Sequence, residues 1–241
     1  QSRSCKRTSW RFFCWFCFVL DGDTGMDFFI QDWAFWMQKQ PDSANGEQTI
    51  CPVSSEITAI QRRRLSELTK ITLHLSFSHT LSANTPVVFS SRHGDLHKTS
   101  LLLQQVALNE DLSPTQFALS VHNSMVGQYS ILKQHQAQHS SIAAGDASLH
   151  YGILEAWSLL QCNDCEQVLV VYADQKLPEI YQNFDTHPAF DHGMSLLLNK
   201  KPVGTRIRLQ RQASKADSRH DEAIELHNFL QSDALDTKIT T

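Results

Sequence analysis

Residues 140–156 read Ser-Ser-Ile-Ala-Ala-Gly-Asp-Ala-Ser-Leu-His-Tyr-Gly-Ile-Leu-Glu-Ala: small residues, a glycine, then an apolar stripe. Small side chains before Gly145 permit close backbone approach, and Leu149, Ile153, Ala156, Trp157 and Leu160 recur at helical spacing. The segment therefore reads as strand, tight turn and a helix over 146–160. Asp146 opens that helix on this reading, where free N–H groups and the helix dipole favour an anion. Such an elbow presents whatever side chain stands at the turn.

The flanking sequence supplies the rest of an alternating α/β pattern. Residues 168–173 (VLVVYA) form an all-apolar run suited to a strand covered on both faces, and 194–198 (MSLLL) form another. Upstream, Pro86 introduces a strand over 87–91 (VVFSS). Ser54 and Ser55 can cap a helix running from about residue 56 to 77, with Ile57, Ile60, Leu65, Leu68, Ile71 and Leu75 as its stripe. Further helices are expected over 97–108 and 125–135, and a strand over 117–121. Residues 28–36 mix a short strand with an aromatic patch, and 41–54 read as a surface loop. Beyond about Leu209 the chain turns polar, with one short helix over 223–230. The pattern implies a three-layer α/β/α unit of roughly 180 residues.

Composition narrows the functional classes. With 241 residues and 41% hydrophobic content, the chain can bury a sizeable single core. A net charge of -4 gives no electrostatic case for nucleic-acid binding. No run reaches the ~18–20 apolar residues needed to cross a bilayer. Residues 1–25 faintly imitate a signal peptide, but aromatic bulk and a following Asp-Gly-Asp argue against it. They read better as a leader or non-native upstream segment, with Met26 as the natural start. The domain then spans 26–210, and 211–241 form a polar C-terminal tail. Cys14/Cys17 and Cys162/Cys165 are CxxC pairs without turn glycines, so reduced thiols are preferred over a zinc site, which suits a cytoplasmic protein. His135 and His139 lack a third ligand, and Gly22-Asp23-Thr24-Gly25 lacks the features of a phosphate loop.

The elbow, together with 120–131 (SVHNSMVGQYSI), resembles the beta-ketoacyl synthases, condensing enzymes with the thiolase fold. There the elbow is approximately Ser-Ser-Ala-Cys-Ala-Thr-Gly, and the upstream stretch has the form HNTxxGxxSI. Residues 29–36 (FIQDWAFW), Arg62-Arg63-Arg64-Leu65 and 89–95 (FSSRHGD) resemble a short synthase-like N-terminal subgroup found with aryl-polyene-type products. The resemblance implies the N-terminal half of a thiolase-like fold over about 26–210. It places Asp146 at the family's nucleophilic cysteine and leaves the two histidines of the family's C-terminal half without counterparts. A carboxylate is a poor acyl acceptor from a thioester, because the resulting anhydride expels its own leaving group.

Ordinary condensation is therefore not expected. The resemblance implies a chain-length-factor-like accessory subunit in fatty-acid or polyketide assembly, with no bound cofactor or metal. Its implied partners are an active beta-ketoacyl synthase and an acyl carrier protein bearing a phosphopantetheine arm, with a homodimer as an alternative. Arg62, Arg63, Arg64 and Lys70 are the docking candidates for the acidic carrier protein. The enzymatic alternative is an acyl-thioester hydrolase or malonyl decarboxylase in which Asp146 and His150, four apart on one helix, act as orienter and base, with His122 lining the same pocket. The third is a free-standing protein-binding module.

Overall fold

The computed structural model describes residues 26–39, 51–162, 165–184, 190–209 and 221–236. The expectations for 1–25, including Cys14 and Cys17, for most of the loop 41–54 and for 211–220 lie outside these residues. The elements in chain order are β1 (Met26–Met37), α1 (Ala59–Arg62), α2 (Glu67–Phe77), β2 (Val87–Ser90), α3 (Leu96–Ala107), α4 (Pro114–Ala118), α5 (Ser124–Lys133), β3 (His139–Ile142), α6 (Ser148–Cys162), β4 (Gln167–Asp174), β5 (His192–Asn199), β6 (Thr205–Leu209) and α7 (Glu222–Asp236). A 3-10 turn, Glu179–Phe184, lies between β4 and β5.

Six strands form one sheet in the order β3-β2-β4-β5-β1-β6. β2 runs parallel to both β3 and β4, so their C-terminal ends share one edge of the molecule. β5 runs antiparallel to β4 and β1, and β6 antiparallel to β1. The apolar run of β4 shows why the sheet needs two covers. Val168, Val170 and Tyr172 face a core completed by Leu149, Ile153 and Leu160 of α6 and Leu226 and Leu230 of α7. Leu169, Val171 and Ala173 face the opposite core, with Leu68, Ile71 and Leu75 of α2 and Met125 and Tyr129 of α5. This is the α/β/α layering expected from the alternating pattern.

Four local expectations differ from the structure. The long helix over 56–77 is two helices. Thr58 and Gln61 close a capping box on α1, and Ser66, accepting the Thr69 N–H, restarts the chain as α2. The strand over 117–121 is absent: Ser113 caps and Pro114 opens the helix α4, so helix-start chemistry outweighs the β-prone residues that follow. β1 extends over twelve residues because it is clamped between β5 and β6. Within the expected polar tail, α7 is longer than its short predicted helix, and Ala223, Leu226 and Leu230 are core residues.

The close packing of α2 on the sheet leaves no room at Gly193, where a Cβ would lie 2.7 Å from both Leu75 Cδ1 and the Tyr172 carbonyl oxygen. Gly193→Ala is expected to cost about 1–3 kcal/mol in chemical denaturation, because a backbone atom must move. At Gly127, inside α5, a Cβ meets nothing within 4 Å. Gly127→Ala should instead stabilise by about 0.5–1 kcal/mol, so the two substitutions move the denaturation midpoint in opposite directions.

Candidate functional site

The elbow stands where β3 ends and α6 begins. Gly145 takes φ +58, a left-handed conformation that stops β3 from running directly into a helix. The Ser148 hydroxyl donates to the Gly145 carbonyl at 2.7 Å and accepts the Ala144 N–H at 3.0 Å. These bonds tie the turn shut, and α6 starts only at Ser148. Asp146 accordingly lies in the turn rather than on the helix. The expected single helical face for Asp146 and His150 is not formed, because Asp146 bridges to Ala144 and the turn closes through the Ala147 and Ser148 N–H groups before the helix begins.

Asp146 is 53% exposed and points an oxygen toward the Arg92 guanidinium, 3.6 Å away. His150 is buried in the first turn of α6 and pairs through Nδ1 with Glu222 of α7. His122 donates through Nε2 to the Ile142 carbonyl at 3.0 Å, across the end of β3. It also lies against Gly94, whose φ is +57 and whose absent Cβ leaves space for the imidazole. His122 and Asp146 thus share the C-terminal end of the parallel strands, whereas His150 belongs to the α6–α7 contact. A cavity beside α6, lined by Phe28, Leu149, His150, Ile207, Glu222 and Leu226, measures about 10 Å³, room for about one water.

The electrostatic centre of this end is a group absent from the expected site residues. Asp174, the last residue of β4, accepts from the Ser91 hydroxyl at 2.7 Å and the Arg92 N–H at 2.9 Å through one oxygen. Its other oxygen accepts from the Tyr172 hydroxyl at 2.6 Å and Arg92 Nε at 3.1 Å. Burial opposes the Arg92 charge, but Asp174 and its neighbours hold the guanidinium pKa above its ordinary value. Burial, followed by the adjacent carboxylates, pushes the Tyr172 hydroxyl well above its usual range. Tyr172 also reaches Asp221, 3.4 Å away, and Asp221 accepts from His192 Nε2 at 2.8 Å. Asp221 further accepts the Ala223 and Ile224 N–H groups, so it caps α7 as well as pairing with β5. The sequence signal for this network was a lone carboxylate ending an apolar strand, together with Arg92 in the 89–95 motif.

A second cluster has the connectivity of a hydrolytic triad. His79 Nδ1 lies 3.0 Å from Asp32 Oδ2, and its Nε2 lies 2.8 Å from Ser195 Oγ. A β-bulge between Ile30 and Asp32 re-aims the aspartate toward the histidine. The accessible member is Asp32, whereas Ser195 is fully buried and donates to the Leu75 carbonyl. The cluster therefore ties β1, β5 and the end of α2 together and offers no nucleophile. Among the described residues, no group of three or more His, Cys, Asp or Glu side chains is placed to hold a metal. Cys162 is exposed at the end of α6, and Cys165 donates to the Leu159 carbonyl.

The docking candidates separate by environment. Arg62, Arg63 and Arg64 are exposed at and just beyond the end of α1. Lys70 is bound to Glu67 at 2.5 Å, so its charge is locally cancelled.

The His192–Asp221 pair carries a pH signature. Burial penalises both charges, but the hydrogen bond and mutual attraction outweigh it, raising the His192 pKa and lowering that of Asp221. The histidine's contribution is complete below its ordinary 6.5 and is lost as pH rises through the raised folded value. The aspartate's contribution is complete above 3.8 and is lost as pH falls through the lowered folded value. The stability difference between wild type and Asp221→Asn should therefore be largest between those ordinary values, at about 3–5 kcal/mol, and shrink on either side in urea titrations.

With this geometry in view, comparisons with known proteins are informative. Residues 33–239 match the family model described as "Beta-ketoacyl synthase, N-terminal domain". No curated protein sequence matches the chain. Among solved structures, a chain of the ketosynthase ApeO in complex with its chain length factor ApeC from Xenorhabdus doucetiae is 27% identical, with TM-score 0.62, covering 72% of this chain and 79% of that one. A type II polyketide synthase assembly, AntDE:AntF, described as an acyl-carrier protein in complex with its ketosynthase bound to the hexaketide, is 13% identical, with TM-score 0.53, 74% of this chain and 64% of that one. The ishigamide ketosynthase/chain length factor is 17% identical, with TM-score 0.51, 59% of this chain and 46% of that one. The two latter likenesses speak to the fold alone. The strand-turn-helix elbow, the two-sided sheet and the family match over most of the chain agree: this protein belongs to the beta-ketoacyl synthase family, through its N-terminal domain.

Proposed function

We propose that the chain is a non-condensing, chain-length-factor-like subunit that seats against an active beta-ketoacyl synthase in fatty-acid or polyketide assembly, with an aryl-polyene-type product as the favoured setting. The observation that carries this reading is Asp146 at the elbow, paired with Arg92 where a condensing enzyme needs a thiolate. An ionised carboxylate held by a guanidinium does not accept an acyl group from a thioester.

The two edges of the sheet point to the contact surface. β6 carries Arg206 and Arg208, both paired with Asp27, and charged edges resist added strands. β3 reads His-Ser-Ser-Ile and, among the described residues, pairs only with β2. The Ser140 and Ser141 hydroxyls are buried there without a hydrogen-bond partner. Exposed apolar side chains stand on the helices that connect β2 to β3 in the chain, among them Val106, Phe117 and Ile131. An uncharged open edge and exposed apolar helix faces are the chemistry of a strand-pairing protein interface. The acyl group arrives, on this reading, on the phosphopantetheine arm of an acidic carrier protein that meets Arg62, Arg63 and Arg64.

Size-exclusion chromatography with light scattering, on the chain alone and mixed with the active synthase of its own pathway, tests the reading. A stoichiometric complex is expected, weakened at least about tenfold by Phe117→Glu with Ile131→Glu and unaffected by Asp146→Asn. The purified chain should leave acyl- and malonyl-carrier-protein thioesters intact. Turnover that disappears in Asp146→Asn would instead establish the hydrolase or decarboxylase. A chain that stays monomeric with every synthase tried would leave the binding-module alternative.

A further inference from the structure

Two kinds of contact hold α7 to the rest of the domain. Ala223, Leu226 and Leu230 give it an apolar side in the core shared with α6. Its first turn adds two acid–histidine pairs from consecutive residues, Asp221 with His192 of β5 and Glu222 with His150 of α6. The seam beneath the helix is incompletely filled: the cavity of about 10 Å³ has Glu222 and Leu226 on one side and Phe28, Leu149 and Ile207 on the other. A helix with a short apolar side and an electrostatic first turn is the kind of element that opens separately from a sheet.

His192 decides how that first turn is held. Its Nε2 donates to Asp221 Oδ2 at 2.8 Å, and its Nδ1 donates to the Phe190 carbonyl oxygen at 3.2 Å. Both neighbours are acceptors only, so both ring nitrogens are satisfied only in the imidazolium form. The same form balances the surrounding charges. His192 stands opposite Asp174 in the β4–β5 register, with Asp221 reaching it from α7, Tyr172 and Asp174 from β4, and Arg92 beyond Asp174. The neighbouring Asp191 is taken up by Gln175 Nε2 and the Lys176 N–H, and Glu222 by His150. Protonated His192 and Arg92 thus face Asp174 and Asp221, all four side chains at most 5% exposed. Without the proton, the buried group carries one uncompensated negative charge. Burial works against the imidazolium, but the Asp221 hydrogen bond and the charges of Asp221 and Asp174 outweigh it and raise its pKa.

We propose that α7 is a latch set by the charge on His192: seated while the imidazolium bridges β5 to Asp221, and opening separately from the sheet when that proton is lost to solvent. Neutral His192 keeps one of its two donors, which leaves either the Phe190 carbonyl or the Asp221 carboxylate short of a partner in a buried place. Opening lifts Leu226 from Leu149, in the first turn of α6 beside the Ser148 that ties the elbow shut. The latch therefore joins pH to the helix that carries the elbow. It operates in the chain alone and does not depend on a synthase partner.

Hydrogen exchange of the full chain, read by mass spectrometry at about pH 6 and about pH 9, compares α7 with β4 in the same sample. Protection of the α7 amides relative to those of β4 is expected to fall at least about tenfold at the higher pH, because the seated form binds the proton more tightly than the open form does. Asp221→Asn should lower the α7 protection already at the lower pH and remove most of its pH dependence. Nitrogen NMR of wild-type His192 should show both ring nitrogens protonated at pH 6.5, where an ordinary histidine is half charged. Equal loss of protection in α7 and β4 makes the transition global and overturns the latch. Relative protection that stays constant across the pH range also overturns it, as does an Asp221→Asn chain with the wild-type pH dependence or a neutral His192 tautomer at pH 6.5. Should Asp221→Asn fail to fold, the wild-type exchange and NMR outcomes decide.

Discussion

A carboxylate buried at the end of a central strand must be satisfied completely or the strand cannot stay where it is. Asp174 meets that requirement with four donors: the Ser91 hydroxyl, the Arg92 amide and guanidinium, and the Tyr172 hydroxyl. Each donor belongs to β4 itself or to the segment following β2, so the carboxylate locks two parallel strands in register at their C-terminal ends. Tyr172 and Asp221 extend the network to His192 at the start of β5 and to the first turn of α7. Removing one member would leave a buried charge uncompensated, which costs more than the intact pair contributes. The late helix is therefore part of the same electrostatic unit as the central strands.

This unit also defines the elbow electrically. Arg92 faces Asp174 on one side and Asp146 on the other. A side chain in the turn after Gly145 is thus presented to solvent with a buried cation behind it. A thiolate there would be stabilised by the same guanidinium; a carboxylate is stabilised without becoming a useful acyl acceptor. The turn after Gly145 thus holds a charge pair, Asp146 with Arg92. The contrast with His79 is instructive. Its links to Asp32 and Ser195 have the right atoms in the right order, yet the hydroxyl is buried in the middle of β5 and the acid is exposed. Access, rather than connectivity, separates a structural tie from a reactive triad.

The surfaces follow from how the sheet ends. One edge carries two arginines that share the single carboxylate of Asp27, and the other is short and uncharged. An isolated domain that left such an edge open would invite uncontrolled pairing. A committed partner gives the open edge a use. The proposal of a synthase-facing subunit connects this asymmetry with the altered elbow through one requirement: chemistry and enclosure come from a second chain.

Several features were legible in the residues alone because they depend on local pattern. The apolar run 168–173 announced a strand buried on both faces, Gly145 marked the turn, and the elbow together with 120–131 and 89–95 pointed to the family. Short-range chemistry was also sufficient, in hindsight, for the starts of α2 and α4, where Ser66 and Ser113-Pro114 outweighed hydrophobic periodicity. The buried network was not legible, since Arg92, Asp174, His192 and Asp221 are separated by up to 129 positions and meet only through sheet order. The reassignment of His150 from Asp146 to Glu222 is of the same kind. Hydrophobic spacing and turn residues act between near neighbours, so the sequence by itself determined the layers and the elbow. Pairing among buried charges depends on distances through space, and only the tertiary structure decided which carboxylate faces which cation.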